Sequence, residues 1–160
     1  MDTKGAREIL FRGKRIDNGE WVKGYLYEHE PALVSISSEN DAPKPSKWFI
    51  AKTGFADWNM PRPVEFVEVD PSTVGQYTGL TDKNGKKIFE GDIVDASNEW
   101  WDSAGPAGHD SPVILVEWES DLCGFEPFAN YDCDCGVYIN AKNCEVLGNI
   151  HDNPELLKRF

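Results

Sequence analysis

Apolar and polar positions alternate in short segments along this chain, and turns rich in glycine and asparagine separate them. Residues 9–16 and 21–27 are two such segments, with Asn18 and Gly19 between them. An Asn-Gly pair between two apolar-patterned runs is a strong signal for a β-hairpin. Residues 64–69 alternate with a period of two, which predicts a strand with one face in water. The pattern therefore predicts short antiparallel strands.

The stretch 74–94 predicts three more strands joined by tight turns. Asn84 and Gly85 can both adopt positive φ, which favours a hairpin turn of the primed type. Gly91 predicts a sharp bend into the third strand. Farther along, the β-branched residues of 113–118 predict a central strand.

Short helical turns complete the predicted elements. Asp70 followed by Pro71 has the pattern of an N-cap and a first helical position. We place the boundary between an N-terminal β-hairpin module, residues 1–70, and a C-terminal module, residues 71–160, at this turn. In the C-terminal module, about five short, strongly bent strands with glycine at the corners predict a small, partly open SH3-like β-barrel. The predicted fold class is all-β.

Composition agrees with a compact β-rich protein. The chain has 160 residues, of which 40% are apolar and 12% aromatic, enough for a hydrophobic core. No apolar run approaches the roughly 18 residues needed to cross a membrane. The first eight residues lack an apolar signal core, so the expected location is the cytoplasm.

The cysteines do not have the spacing of a structural zinc site, which uses two close pairs of ligands. The chain contains four of them: Cys123, Cys133, Cys135 and Cys144. On a strand, Cys133 and Cys135 would share one face, which keeps a metal in consideration. The neighbouring Asp132 and Asp134 do not match the ligand spacing of a calcium loop. We expect reduced thiols, no metal ligand and no cofactor.

Three blocks of the sequence resemble the YopX family of phage and prophage proteins. They are residues 7–15 with their hairpin to 21–25, the stretch 74–94, and residues 146–157. The resemblance implies an all-β protein whose C-terminal half is similar to an SH3-type barrel, in a bacteriophage or prophage context. It implies no activity and no catalytic residue, because the family is one of unknown function.

The negative charge is concentrated in one part of the chain. The formal net charge is −12, from 16 Lys and Arg against 28 Asp and Glu. Residues 1–87 hold 13 of each sign, whereas residues 88–141 hold 12 acidic residues and no Lys or Arg. Such a stretch repels phosphate and argues against direct nucleic-acid binding. It attracts basic partners.

We therefore expect a non-catalytic protein-interaction module that binds a basic protein through residues 95–135. Aromatic anchors with a steering rim of carboxylates favour such binding. The candidate binding residues are two tryptophans and nearby acids of this segment: Trp100, Trp101, Asp102, Glu99, Asp110, Asp132 and Asp134. A surface that merely keeps the protein soluble would carry the same acids.

Other interpretations remain at this point. An acidic DNA mimic could occupy and inhibit a host nucleic-acid-binding enzyme. An enzyme could use Glu90 and Asp92 as acid and base at a bend. In the structural alternative, both carboxylates hydrogen-bond the backbone of the bend or face water. A metal-binding role is weaker still, and the sequence leaves homo-oligomerisation open.

Overall fold

The computed structural model describes residues 7–30, 45–57, 60–99, 111–129 and 139–158, with side chains for all of these except 53–57 and 60–64. The strands pair antiparallel. The helices in the described ranges are short 3-10 segments. The all-β prediction is confirmed. The chain divides into two compact units: one comprises residues 9–75, and the other comprises residues 1–8 and 76–160.

Four antiparallel strands in the order β4-β3-β2-β1 form the sheet of the unit at residues 9–75. They are β1 (Phe11–Lys14), β2 (Trp21–His29), β3 (Lys47–Asp57) and β4 (Met60–Val69). The predicted hairpin between residues 9–16 and 21–27 is confirmed, with Gly19 at φ +73° in its turn. Val22, Ile50, Val67 and Val69 are buried as the core, because alternate residues of neighbouring strands face the same side.

The sheet of this unit curls until the ends of its first and last strands meet. Arg15 forms an isolated antiparallel bridge to Val69, and the Asp70 N–H donates to the Lys14 carbonyl at 2.8 Å. The predicted helical turn is present as a 3-10 segment at Pro71–Thr73, and the Asp70 carboxylate accepts from the Ser72 N–H at 2.9 Å.

The other unit consists of small sheets. Its strands are β5 (Gly75–Thr81), which begins at the boundary, β6 (Lys87–Phe89), β7 (Asp92–Asp95), β8 (Val113–Leu115), β9 (Glu117–Glu119), β10 (Gly124–Glu126) and β11 (Glu145–Asn149). β5 pairs with β6, β9 with β10, and β7 lies between β11 and β8. The core includes Ile88, Val94, Val116, Phe125 and Cys144. The described residues form no closed barrel, so the SH3-like barrel is not confirmed.

The prediction of one central strand over 113–118 is wrong. The segment divides at Val116 into β8, at the edge of one sheet, and β9, in a hairpin with β10. Val116 is fully buried, and its backbone exchanges hydrogen bonds with Gly91 and Asp92. These bonds hold the chain where it leaves one sheet for the other, and β7 is the central strand.

In the 74–94 stretch, the predicted bend at Gly91 is present, whereas the predicted primed turn at Asn84 and Gly85 is not. Gly91 lies at φ +79° between β6 and β7, as the predicted bend requires. In the β5–β6 turn only Gly85 has positive φ, at +78°, so the primed turn with Asn84 also left-handed is wrong. The reason is Asp82, whose carboxylate accepts the Asn84 and Lys86 N–H groups and folds the turn around itself.

Candidate functional site

The hairpin of β9 and β10, residues 117–126, is the most acidic surface element that the structure describes, and we call it the acidic hairpin. Glu117 lies directly opposite Glu126 across the two strands. Like charges in directly opposed positions repel and destabilise a strand pair. Glu119 and Asp121 add two more carboxylates within the same ten residues. Each of these four side chains is exposed or partly exposed, so their negative charge faces solvent.

An aromatic side chain is presented by the same hairpin on its other face. Trp118 pairs with Phe125, and their rings meet edge to face with centroids 5.1 Å apart. Phe125 is buried in the core, whereas Trp118 remains 47% exposed. The buried ring fixes the position of the exposed one. The acidic hairpin thus combines a rigidly seated tryptophan with a group of carboxylates.

Glu99 is the one predicted binding residue within the described ranges, and it has a structural role there. It lies in the 3-10 segment Ser97–Glu99, where its carboxylate accepts from the Asn140 N–H and from the Asn143 side-chain amide. These bonds join residues 97–99 to the 3-10 segment Ala141–Asn143 of the same unit. The other predicted binding residues lie outside the described residues: Trp100, Trp101, Asp102, Asp110, Asp132 and Asp134.

Sequence reasoning missed a group of rings on the outer face of the β2–β3–β4 sheet. We call it the ring face and define it as Tyr25, Tyr27, His29, Phe49 and Phe66. Tyr25, Tyr27 and His29 alternate along β2, and therefore share one side of the strand. The Tyr-Leu-Tyr alternation was visible in the sequence, but which side faces the core depends on strand partners that are distant in the chain.

Tyr27 lies at the centre of the ring face. Its ring centroid is 5.8 Å from that of Phe66, in an edge-to-face arrangement, and 6.4 Å from that of Phe49. The His29 ring is 6.2 Å away. Together these four side chains line an open concavity of about 610 Å³. Tyr25, Tyr27 and Phe66 are 54%, 48% and 55% exposed, which is unusual for large rings on a sheet.

The carboxylates that an enzyme would need at the β6–β7 bend are engaged in the fold. Asp92 is buried and accepts the Phe89 N–H at 2.8 Å. The Glu90 carboxylate lies 3.4 Å from the Gln76 N–H. Both therefore hydrogen-bond the backbone around the bend, as the structural alternative to an acid–base pair anticipated.

Asp82 is a buried carboxylate that accepts three backbone N–H groups. Besides the two turn N–H groups, it accepts the Val146 N–H of β11 at 3.1 Å. Burial favours the neutral form, but the hydrogen bonds from Val146, Lys86 and Asn84 outweigh it and lower the pKa of Asp82. Asp82 thus joins the β5–β6 turn to β11, and its two oxygens are engaged by backbone N–H groups.

Among the described residues, no group of three or more His, Cys, Asp or Glu side chains could hold a metal ion. Cys123 is exposed and Cys144 is buried, and both are free thiols. Cys133 and Cys135 lie outside the described residues. The described ranges also contain no helix with the length and apolarity to cross a membrane.

Cys144 is expected to resist alkylation in the folded protein. Burial raises the pKa of the Cys144 thiol to about 12, so very little reactive thiolate exists at neutral pH. Brief treatment with iodoacetamide followed by peptide mass mapping should label Cys123 and leave Cys144 unmodified until a denaturant is added. Equal labelling of both thiols in the native protein would contradict the buried position of Cys144.

Comparisons with known proteins give a family and a weak structural likeness. The family model described as "YopX protein" matches residues 10–158. A solved structure, the crystal structure of protein EF1440 from Enterococcus faecalis, is similar with 24% sequence identity and a TM-score of 0.44 over 95% of this chain and 99% of that one. No curated protein matches significantly.

Proposed function

This chain belongs to the YopX family, and we propose that it is a non-catalytic protein-interaction module. Its setting is the cytoplasm of a bacterium that carries the phage or prophage encoding it. We also propose that its C-terminal half is organised as a small, partly open SH3-like β-barrel. The partner is a basic protein, bound through the acidic segment of residues 95–135.

The acidic hairpin is the observation that carries this function. Glu117 and Glu126 lie directly opposite each other, and like charges in such positions repel by several tenths of a kcal/mol. A Lys or Arg side chain from a partner would remove that repulsion and gain charge-assisted hydrogen bonds. Trp118, on the other face, offers the kind of large, half-exposed ring that dominates interface energies and accepts cations over its face.

A catalytic function has no comparable support. Glu90 and Asp92 are occupied by backbone N–H groups, and substituting Asp92 would disturb the β6–β7 bend before it could report on chemistry. A DNA mimic is a narrower form of the same idea, in which the basic partner is a host nucleic-acid-binding enzyme. Its distinctive requirement is that nucleic acid competes with this chain for the partner.

The partner should be recoverable on the immobilised full-length protein from cells that express it. We expect a stoichiometric basic protein that is released at high ionic strength, because exposed charges are screened beyond about 8 Å at physiological salt. Glu117→Lys together with Glu126→Lys should abolish recovery. Glu155→Lys, an equal change per site on an exposed residue outside the acidic segment, is the matched control and should not.

Each outcome bears on a different part of the function. Recovery of an acidic protein, or recovery that neither salt nor charge reversal alters, would contradict it. Parallel tests of Trp118→Ala and of Trp100→Ala with Trp101→Ala determine which tryptophans anchor the partner. Adding DNA as a competitor separates the DNA mimic, whose partner it displaces, from a partner that does not bind nucleic acid.

Glu117→Gln should stabilise the isolated protein while weakening the partner. Removing one of two opposed charges is expected to raise the free energy of unfolding by about 0.5 kcal/mol, measured by urea denaturation. Glu119→Gln is the control, because the residue directly opposite Glu119 is Gly124 and no charge is relieved. If Glu117→Gln lowered the stability, favourable interactions of the Glu117 carboxylate in the free protein would outweigh its repulsion by Glu126, which would contradict the proposed need for a partner's cation.

A further inference from the structure

Two Asn-Gly pairs lie in turns of this chain, one in each compact unit, and their backbones are closely alike. Asn18 and Gly19 lie between β1 and β2, and Asn84 and Gly85 lie between β5 and β6. All four residues are exposed, and the two glycines have φ of +73° and +78°. Each glycine N–H donates to a backbone carbonyl oxygen at 3.0 Å. The two pairs therefore differ mainly in what holds the asparagine side chain.

The side-chain amide of Asn18 is held in place by Glu20. The Asn18 Nδ2 donates to a carboxylate oxygen of Glu20, and the Asn18 Oδ1 accepts the Glu20 N–H, both at 3.0 Å. The second bond closes an Asx-turn, in which an asparagine side chain imitates a backbone turn. Together the two bonds fix the orientation of the amide plane.

The side-chain amide of Asn84 is not held in this way. The backbone N–H of Asn84 donates to the Asp82 carboxylate, but the Asn84 side chain has no hydrogen-bond partner within the part of the chain that the structure describes. A Cβ atom added at Gly85 would have no described atom within 4 Å beyond those of its two neighbours in the chain. The Asn84 amide can therefore rotate until its carbon meets the Gly85 nitrogen, and water can reach both groups.

We propose that Asn84 is a site of spontaneous deamidation in the folded protein, and that Asn18 is protected from the same reaction. Hydroxide removes the proton of the Gly85 amide, and the nitrogen attacks the Asn84 Cγ atom. The new N–Cγ bond closes a succinimide ring, while the side-chain nitrogen takes a proton from water and leaves as ammonia. Water then opens the ring at either carbonyl. One opening gives aspartate, and the other gives isoaspartate, whose backbone runs through the former side chain and is one carbon longer.

Both products add a carboxylate to the β5–β6 turn, and isoaspartate also changes its backbone. The extra carbon lies between the Asn84 and Lys86 N–H groups, which both donate to Asp82. Lengthening the chain there displaces the Lys86 N–H from the carboxylate, which also accepts the Val146 N–H of β11. Formation of isoaspartate at position 84 therefore loosens the connection between this turn and β11.

Incubation of the full-length protein at mildly alkaline pH, followed by peptide mass mapping, tests the assignment. A glutamate-specific protease leaves the two asparagines in separate peptides, residues 9–20 and 69–90. Heavy-oxygen water marks each ring that has opened. We expect Asn84 to convert about ten-fold faster than Asn18, because the Asn18 amide must first break two exposed hydrogen bonds. An isoaspartyl methyltransferase should label the 69–90 peptide.

Incubation in concentrated guanidinium chloride is the control, because unfolding removes both environments and the two rates should then become similar. Glu20→Ala removes the acceptor of the Asn18 Nδ2 and should raise the Asn18 rate several-fold while leaving the Asn84 rate unchanged. Equal rates of the two asparagines in the folded protein would overturn the assignment. So would a difference that persists in the denaturant, or an Asn18 rate that Glu20→Ala does not change.

Discussion

Asp82→Ala is expected to lower the free energy of unfolding by about 3 kcal/mol, because it removes the acceptor of three backbone N–H groups. Two of the donors, from Asn84 and Lys86, lie in an exposed turn and can reach water. The third, from Val146, is buried beside the core, where an unsatisfied donor costs most. Urea denaturation of the unaltered protein and of Asp82→Ala measures the difference.

The stability of Asp82→Asn as a function of pH tests whether the negative charge of the Asp82 carboxylate stabilises the fold. The pKa of Asp82 is lowered in the folded protein, so its ionised form stabilises the fold above the ordinary pKa of about 3.9. That contribution is lost as the pH falls through the lower, folded value. The stability gap between the unaltered protein and Asp82→Asn should therefore be largest near neutral pH and narrow below about pH 4.

An exposed aspartate provides the control for this pH series. Asp121→Asn, on the acidic hairpin, should change stability little at any pH. If the gap for Asp82→Asn stayed constant from neutral to acid pH, the charge of Asp82 would have no part in joining the β5–β6 turn to β11. If Asp121→Asn matched it, the effect would come from net charge.

Gly24→Ala should destabilise the protein by about 3 kcal/mol, the upper end for overpacking. A Cβ atom at Gly24 would lie 2.2 Å from the Ala51 carbonyl oxygen and 2.9 Å from the Ile50 side chain. The oxygen belongs to the backbone of β3, so β2 and β3 would have to separate beneath the ring face. Thermal unfolding followed by circular dichroism measures the loss.

Gly19→Ala is the control, because it measures the cost of a left-handed backbone at a site where the added Cβ meets no other atom. Gly19 has φ +73° and open space around it, so alanine there costs about 1 kcal/mol for its left-handed backbone alone. Gly24→Ala should be clearly the more harmful of the two. Equal effects would mean that β2 and β3 yield easily, and that the close approach of their backbones does not hold the sheet.

Local patterns predicted much of the fold. The hairpin turn at Asn18-Gly19, the bend at Gly91 and the turn opened by Asp70 and Pro71 each depend on neighbours in the sequence, and each is present. The interruption at Val116 could not be predicted, because it results from backbone bonds to Gly91 and Asp92, some 25 positions earlier. β-Branched residues predict a strand but not where it changes sheets.

The candidate sites were less accessible to sequence reasoning. Charge counting found the acidic segment, and the structure describes its hairpin with Trp118 seated on Phe125. Charge counting could not show that Glu117 lies opposite Glu126, because the register depends on how the two strands pair. Asp82 was predicted only as a turn residue, because its third donor, Val146, lies 64 positions away.

Site-specific photocrosslinking in the cells that express this chain is the most direct test of the central claim. A benzophenone-bearing amino acid at position 118 should crosslink to a basic protein, with a yield that falls in Glu117→Lys. The same group at the exposed position 147 is the control and should capture that protein weakly or not at all. Crosslinking of an acidic protein at position 118, or equal capture at both positions, would contradict an acidic docking surface for a basic partner.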